Sequence, residues 1–304
     1  MKILITGGSG FVGSFIATEL ANFNHEVFAP NHIDMNCSDS TSVMKYISNI
    51  NPEAIIHTAA MILPTDEMGG NHEKILKENE KLNSNVLDQA AMLNVKNIFC
   101  FGSHTMYSSS VRKNESNLFI GSTPSFIKGY ADSKRLLLKS CNEYSANGLN
   151  YKMLVLPSIY GPFNLNVPPK QMLNSIILRA IKLKEMNEPI LDVRGDLTAL
   201  REYIFLPDVA NWVSQNIDGM KDLPNVMNLG TNSILPIIEY YKICSSLLNL
   251  NLNIDEEMMA VNELQDNAEP LDCSLASNFG WGVVTHIEEG IMQTIKYIEG
   301  NHGI

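Results

Sequence analysis

The chain has 304 residues, 45% of them apolar, and a formal net charge of −11 from 33 acidic and 22 basic side chains. That length buries a large core and suits one nucleotide-binding domain with a smaller appended part, while the acidic balance argues against partners that are recognised through clustered cations, nucleic acid and anionic membranes above all. Five cysteines, at 37, 100, 141, 244 and 273 and never in C-x-x-C spacing, read as reduced packing residues and exclude a disulfide framework or a zinc site.

Met1-Lys2 leads straight into a core strand where a secreted protein would carry a cleavable signal, and no apolar run approaches the roughly 18 residues of a membrane span. The expected compartment is the cytoplasm. Lys2 to Thr6 is short, apolar and β-branched, Gly7-Gly8-Ser9-Gly10-Phe11-Val12-Gly13 follows without a linker, and Phe15 to Ala21 is amphipathic. The order is strand, glycine turn, helix. Glycines 7, 10 and 13 match G-x-x-G-x-x-G: one for a tight turn, one for close approach of N–H groups to a pyrophosphate, one for helix–strand packing. The anion then meets the positive end of the helix that Phe11 and Val12 open.

His25 to Pro30 reads as the second strand, ending at Asn31-His32. Dinucleotide folds that use NAD usually carry an acid near this point for the ribose hydroxyls. Here Asn31, 18 residues beyond Gly13, is neutral. Nothing there repels a 2′-phosphate and His32 can assist one, so the expectation leans to NADP over NAD. Ala54 to Ala60 forms a strand whose last residues, Ala59 and Ala60, are small enough for a flat cofactor to lie close, and His57 within it reads as a satisfied core histidine. Thr65 to Glu73 reads as a surface loop, about Lys74 to Leu93 as a helix, and Asn97 to Gly102 as another buried strand. The alternation over residues 1–160 predicts an α/β protein with an open, mostly parallel, doubly wound sheet.

Ser103-His104-Thr105-Met106-Tyr107 stands at the carboxyl end of that strand, where doubly wound folds place their chemistry. Tyr130 follows 27 residues later, in Tyr130-Ala131-Asp132-Ser133-Lys134. On a helix beginning there, phenol and ammonium at i and i+4 share one face. A cation beside the phenol favours the phenolate and lowers a pKa near 10, which makes Tyr130 a usable general acid/base.

Together these motifs make the chain resemble the extended short-chain dehydrogenases/reductases of nucleotide-linked sugars, a Rossmann-like family, and its GDP-L-fucose synthase branch most. The resemblance covers essentially the whole chain: Thr6 to Gly13, His57 to Ala60, Asn79 to Asn85, Ser103 to Tyr107 and Tyr130 to Lys134. It continues through Leu156 to Pro162, Arg201 to Ile204 with Asp208 to Ala210, Asn228 to Gly230, Asp272, and Gly280-Trp281. It implies that Ser103 holds the sugar oxygen at C4, that Tyr130 exchanges its proton, and that Lys134 binds the nicotinamide ribose and depresses the tyrosine pKa. It further implies Asn36-Cys37 against the adenine, Pro157 beside the cofactor, a GDP-linked substrate and a homodimer.

Residues 1–160 are then the NAD(P)-binding domain, with later segments returning to it, and 161–304 mainly a substrate lobe. In that lobe Asn164 to Lys170 reads as a loop, Gln171 to about Lys184 as a helix, and Ile287 to Ile298 as a helix packing back on the sheet. Arg201 offers a fork of donors suited to a diphosphate, or else an exposed ion pair with Glu202 or a nearby acid. Glu256, Glu257 and Glu263 read as a solvated acidic face.

Departures from the family pattern narrow the reaction. Fucose synthases use a cysteine and a histidine to move protons at C3 and C5, and the aligned positions are Thr105 and Met172. Sugar 4,6-dehydratases place an Asp-Glu pair beside their threonine, where this chain offers Met106-Tyr107. What remains is hydride transfer at one carbon: a 4-keto sugar reductase, or a 4-dehydrogenase or 4-epimerase with retained NAD, against a non-catalytic nucleotide-binding protein that the intact Ser103, Tyr130 and Lys134 disfavour.

Overall fold

A strand covered on both faces must be apolar along its whole length, and Ile3, Leu4 and Ile5 are all fully removed from solvent in β1 (Lys2–Thr6). The computed structural model describes residues 1–63, 65–165, 169–254, 269–282 and 285–301. After β1 come α1 (Phe11–Asn22), β2 (Glu26–Phe28), α2 (Ser40–Ile50), β3 (Ala54–His57), α3 (Thr65–Met68), α4 (His72–Met92), β4 (Asn97–Ser103), α5 (Lys128–Ser145) and β5 (Asn150–Leu156). The chain continues with β6 (Ser158–Tyr160), α6 (Met172–Glu185), β7 (Ile190–Asp192), β8 (Leu200–Arg201), β9 (Tyr203–Phe205), α7 (Leu206–Asn216) and β10 (Val226–Asn228). It closes with β11 (Leu235–Pro236), α8 (Ile237–Leu248), β12 (Asn251–Asn253), α9 (Ser274–Ser277) and α10 (Ile287–Asn301). No helix among the described residues is long and apolar enough to cross a membrane.

The stretch 65–73, expected as a loop, contains α3 and the first two residues of α4; Gly69, Gly70 and Asn71 separate the helices, and Asn71 donates from Nδ2 to the Glu67 carbonyl. The three glutamates of the expected acidic face lie outside the described residues. Several helices end on asparagine in the left-handed region, among them Asn51 after α2 and Asn249 after α8 at φ 50° and 54°, a conformation otherwise left to glycine.

Two compact units are present. The first comprises residues 1–156, 209–229 and 272–281. Its sheet has six strands in the order β10-β5-β4-β3-β1-β2, every neighbouring pair parallel. The order reverses between β1 and β3, which makes that boundary the topological switch point and its carboxyl end the crevice where such sheets bind ligands. One layer over the sheet is made by α2, α4 and α5 side by side. Residues 29–39, between β2 and α2, form a loop without a strand, and the sheet order ends at β2.

The second unit comprises residues 157–208, 230–271 and 282–304. It packs α6 against α8 and α10 and adds three two-stranded ladders, β6 with β9, β7 with β12 and β8 with β11. Its centre is aromatic: Tyr203 meets Tyr160 and Tyr240 edge to face at 6.3 and 4.8 Å between ring centroids.

Candidate active site

The glycine turn divides its labour by position. Gly7 has φ +69°, and a Cβ there would fall 2.8 Å from the Ala59 nitrogen. A Cβ on Gly13 would overlap the Gly7 carbonyl oxygen, so this residue sets how closely α1 packs on β1. Gly10 faces open space except for the Gly7 carbonyl, and it begins α1 with no side chain capping the helix. The first-turn amides of Phe11, Val12 and Gly13 therefore meet a cradle that any Cβ at Gly10 would start to fill, and that cradle fits a pyrophosphate. Gly8, a mere spacer in the motif, is as tightly constrained: a Cβ there would lie 2.6 Å from that of Ala29, at the end of β2. Thr58 donates from Oγ1 to the Thr6 carbonyl at 2.7 Å across the switch point, and Ala59 and Ala60 follow it half-buried.

Beyond β2 the chain makes a self-bonded loop. Asn31 accepts at Oδ1 from the amides of Ile33 and Asp34, at 2.7 and 3.2 Å, and both Asn31 and His32 are exposed. Asn36 accepts at Oδ1 from the Ser38 amide, and the Cys37 carbonyl accepts from Asn85 Nδ2. Burial pushes the Cys37 thiol up to about 11, so it is a packing group and no nucleophile.

His57 is the core histidine expected. It is fully buried at the end of β3, shares a 2.7 Å hydrogen bond with Thr6 Oγ1 through Nδ1, and reaches Asn83 Oδ1 with Nε2 at 2.9 Å. Burial lowers its pKa to about 4, with the Lys134 charge acting in the same direction against the Asn83 bond. One turn earlier on α4, Asn79 clamps the loop after β3 by accepting from the Met61 amide and donating to its carbonyl. The signal for these two roles was the i, i+4 spacing of asparagines on an otherwise apolar helix face.

Ser103 ends β4 and caps the 3₁₀ turn His104–Met106. Its Oγ accepts from the Thr105 amide at 3.2 Å and from Thr105 Oγ1 at 2.9 Å. Thr105 is buried, and so are Met106 and Tyr107, whose hydroxyl donates to Asn228 Oδ1 at 2.8 Å. The side chain beside Ser103 is thus Thr105; Met106 and Tyr107, the pair set against the dehydratase acids, belong to the core.

Tyr130 and Lys134 lie one turn apart on α5, which begins at Lys128, earlier than the expected start at the tyrosine. Lys134 Nζ is 5.6 Å from the centroid of the Tyr130 ring; the lysine is buried and the tyrosine half-buried. The phenol is pushed up to about 12 by desolvation, the opposite of the expected lowering. The ammonium itself is lowered to about 8 by the same burial. Gly129 lets α5 start here, since a Cβ at that position would overlap the His72 carbonyl on α4. Arg135 holds the helix to the turn after Ser103 by donating from Nε to the Met106 carbonyl at 2.7 Å.

Ser103, Thr105, Tyr130 and Lys134 thus belong to the first unit, with all the cofactor candidates except Pro157. Pro157 is buried between β5 and β6 and belongs to the second unit. So does Arg201, whose guanidinium is exposed and donates to the Leu200 carbonyl at 2.8 Å. Its expected alternative partner, Glu202, is buried and uses its carboxylate otherwise, accepting from the amides of Thr231 and Leu271 at 2.6 and 2.8 Å.

The sequence profile of the NAD dependent epimerase/dehydratase family matches residues 3–230. GDP-L-colitose synthase of Yersinia pseudotuberculosis is 25% identical over 309 residues, covering 98% of this chain and 97% of that one. GDP-L-fucose synthase of Azorhizobium caulinodans is 27% identical over 314 residues, covering 99% and 97%. Among solved structures, GDP-mannoheptose C4 reductase of Campylobacter jejuni with NADP bound superposes with a TM-score of 0.85 at 21% identity, over 98% of each chain. That structural likeness is one of fold.

Proposed function

Since the chain belongs to the NAD dependent epimerase/dehydratase family, the extended short-chain dehydrogenases/reductases, we propose that it reduces a GDP-linked 4-keto sugar at C4 with NADPH. The observation that carries this reading is the placing of Tyr130 and Lys134 one turn apart on α5, in the same compact unit as Ser103 at the end of β4. Burial keeps the Tyr130 phenol in its acid form at neutral pH, and that proton is what the reduction of a ketone draws on. The GDP-linked substrate is supported by the two relatives named for GDP-sugars, and NADP by the neutral Asn31 and the NADP-bound neighbour in fold.

When bound, the reduced nicotinamide supplies the hydride that C4 receives. Gly7, Gly10, Phe11, Val12 and Gly13 would hold the pyrophosphate, Asn31 and His32 the phosphorylated ribose, Asn36 and Cys37 the adenine side, and Ala59, Ala60 and Pro157 the remaining surface. Ser103 donates its hydroxyl hydrogen to the carbonyl oxygen and orients it. Tyr130 transfers its phenolic proton to that oxygen as negative charge develops there. Lys134 stabilises the phenolate left behind and would bind the nicotinamide ribose, and water returns the lost proton. Arg201 would pair with the diphosphate of the substrate. Thr105, already bonded to Ser103, and Met172, with no proton to exchange, leave C3 and C5 untouched.

Mixing the protein with NADPH and GDP-4-keto-6-deoxymannose tests this reading. Loss of the reduced-nicotinamide absorbance with formation of a GDP-6-deoxyhexose is expected, and no oxidation of NADPH with any GDP-linked 4-keto sugar would overturn it.

A further inference from the structure

A serine oxygen has two lone pairs and one hydrogen, and at Ser103 both lone pairs are taken. The Thr105 amide donates to Oγ at 3.2 Å, and the Thr105 hydroxyl donates to the same atom at 2.9 Å. Thr105 is buried, and its side chain is fixed at the start of the 3₁₀ turn that Ser103 caps. With both acceptor sites filled from inside the fold, the Ser103 hydrogen is the one bonding element that remains, and Ser103 can meet a substrate only as a donor.

We infer that Thr105 is a positioning residue for the reduction: its hydroxyl fixes Ser103 as an obligate hydrogen-bond donor toward the C4 carbonyl oxygen. This rests on the reading that Ser103 holds that oxygen. A ketone oxygen accepts and never donates, so a serine rotor free to offer its own lone pairs would spend part of its time in a useless orientation. The donor bond strengthens as the oxygen gains charge, so the effect belongs to the transition state more than to binding. Thr105 touches the reaction only through Ser103, which separates this role from that of a proton carrier at the same position.

The test is a double-mutant cycle on turnover of GDP-4-keto-6-deoxymannose with NADPH, with NADPH binding by fluorescence and circular dichroism as the check on folding. Thr105→Val keeps the shape and the backbone amide but removes the hydroxyl; kcat is expected to fall roughly tenfold with KM changed less than about twofold. Thr105→Ser restores the hydroxyl and is expected to recover kcat to within about threefold, and it serves as the second variant should valine fold poorly. In a Ser103→Ala background, Thr105→Val is expected to have no further effect. Undiminished kcat in Thr105→Val, a full effect persisting in the Ser103→Ala background, or no recovery with Thr105→Ser would each overturn the inference while leaving the proposed reaction intact. Undiminished turnover in Ser103→Ala alone would overturn the reading of the site, and the inference with it.

Discussion

Lys134 Nζ lies 5.6 Å from the centre of the Tyr130 ring, one helical turn along α5, and the lysine is all but removed from solvent. Burial dominates both partners: it raises the phenol and lowers the ammonium, each toward its neutral form. Burial thus favours the acid form of Tyr130, and Lys134 is a cation that the fold holds at a cost.

The first consequence concerns Tyr130. Replacing it with Phe keeps the ring over which Lys134 sits and removes the transferable proton. Turnover is expected to fall roughly 10²- to 10⁴-fold while NADPH affinity changes less than about threefold. Steady-state kinetics with NADPH titration reads both, and turnover within tenfold of the native rate would contradict the role.

Lys134 makes a prediction about stability with the opposite sign. Its ammonium titrates near 8 in the folded protein and at its ordinary 10.5 in the unfolded chain, so between these values the unfolded chain binds more protons and stability rises with pH. Below pH 8 the penalty for burying the charge is present in full. Lys134→Met, which removes the charge and keeps the stem, is therefore expected to stabilise the cofactor-free protein at pH 7 by up to about 3 kcal/mol while abolishing most of the turnover. The gain is expected to shrink as pH rises from 8 toward 10.5. Urea unfolding at a series of pH values measures it, and a destabilised variant at pH 7 would show that Lys134 is compensated by partners in the fold.

Cofactor choice rests on Asn31. Its Oδ1 accepts two backbone amides, and an aspartate oxygen accepts the same two, so Asn31→Asp changes charge without changing the turn. Repulsion of the 2′-phosphate is expected to shift the NADPH to NADH preference about tenfold toward NADH. Equilibrium titration of both cofactors into both proteins tests it, and an unchanged ratio would mean that the ribose is read elsewhere.

The fold was legible where pattern and position coincide. Continuous apolar runs such as Ile3 to Ile5 and Ala54 to Ile56 marked fully buried parallel strands, and the strand–glycine–helix order marked the switch point. His57 could be assigned to the core because a histidine inside such a run has no solvent to face. Less visible was anything that depends on what a side chain meets across the fold. Gly8 looks like filler until Ala29 is seen against it, and Glu202 looks like a partner for Arg201 until its carboxylate is found on two backbone amides.

The phenol pKa is hidden from the sequence for a related reason: spacing along a helix reports that a cation is near, whereas desolvation depends on everything packed around the pair. The burial of Met106 and Tyr107 was hidden in the same way, because adjacency in sequence across a 3₁₀ turn does not say which side chains turn inward. Thr105, two residues from Ser103, is the one that returns to it.

Hydride delivery to C4 with C3 and C5 left alone is the central claim, and one product analysis tests both halves. GDP-4-keto-6-deoxymannose is reduced with ordinary NADPH in deuterium oxide, beside an enzyme-free control for spontaneous exchange, and the product is read by NMR. The account predicts protium at C4, delivered from the cofactor, and enzyme-dependent deuterium at neither C3 nor C5, since Thr105 is bonded to Ser103 and Met172 holds no proton. Enzyme-dependent deuterium at C3 or C5, or a product whose C4 hydrogen comes from solvent, would contradict it.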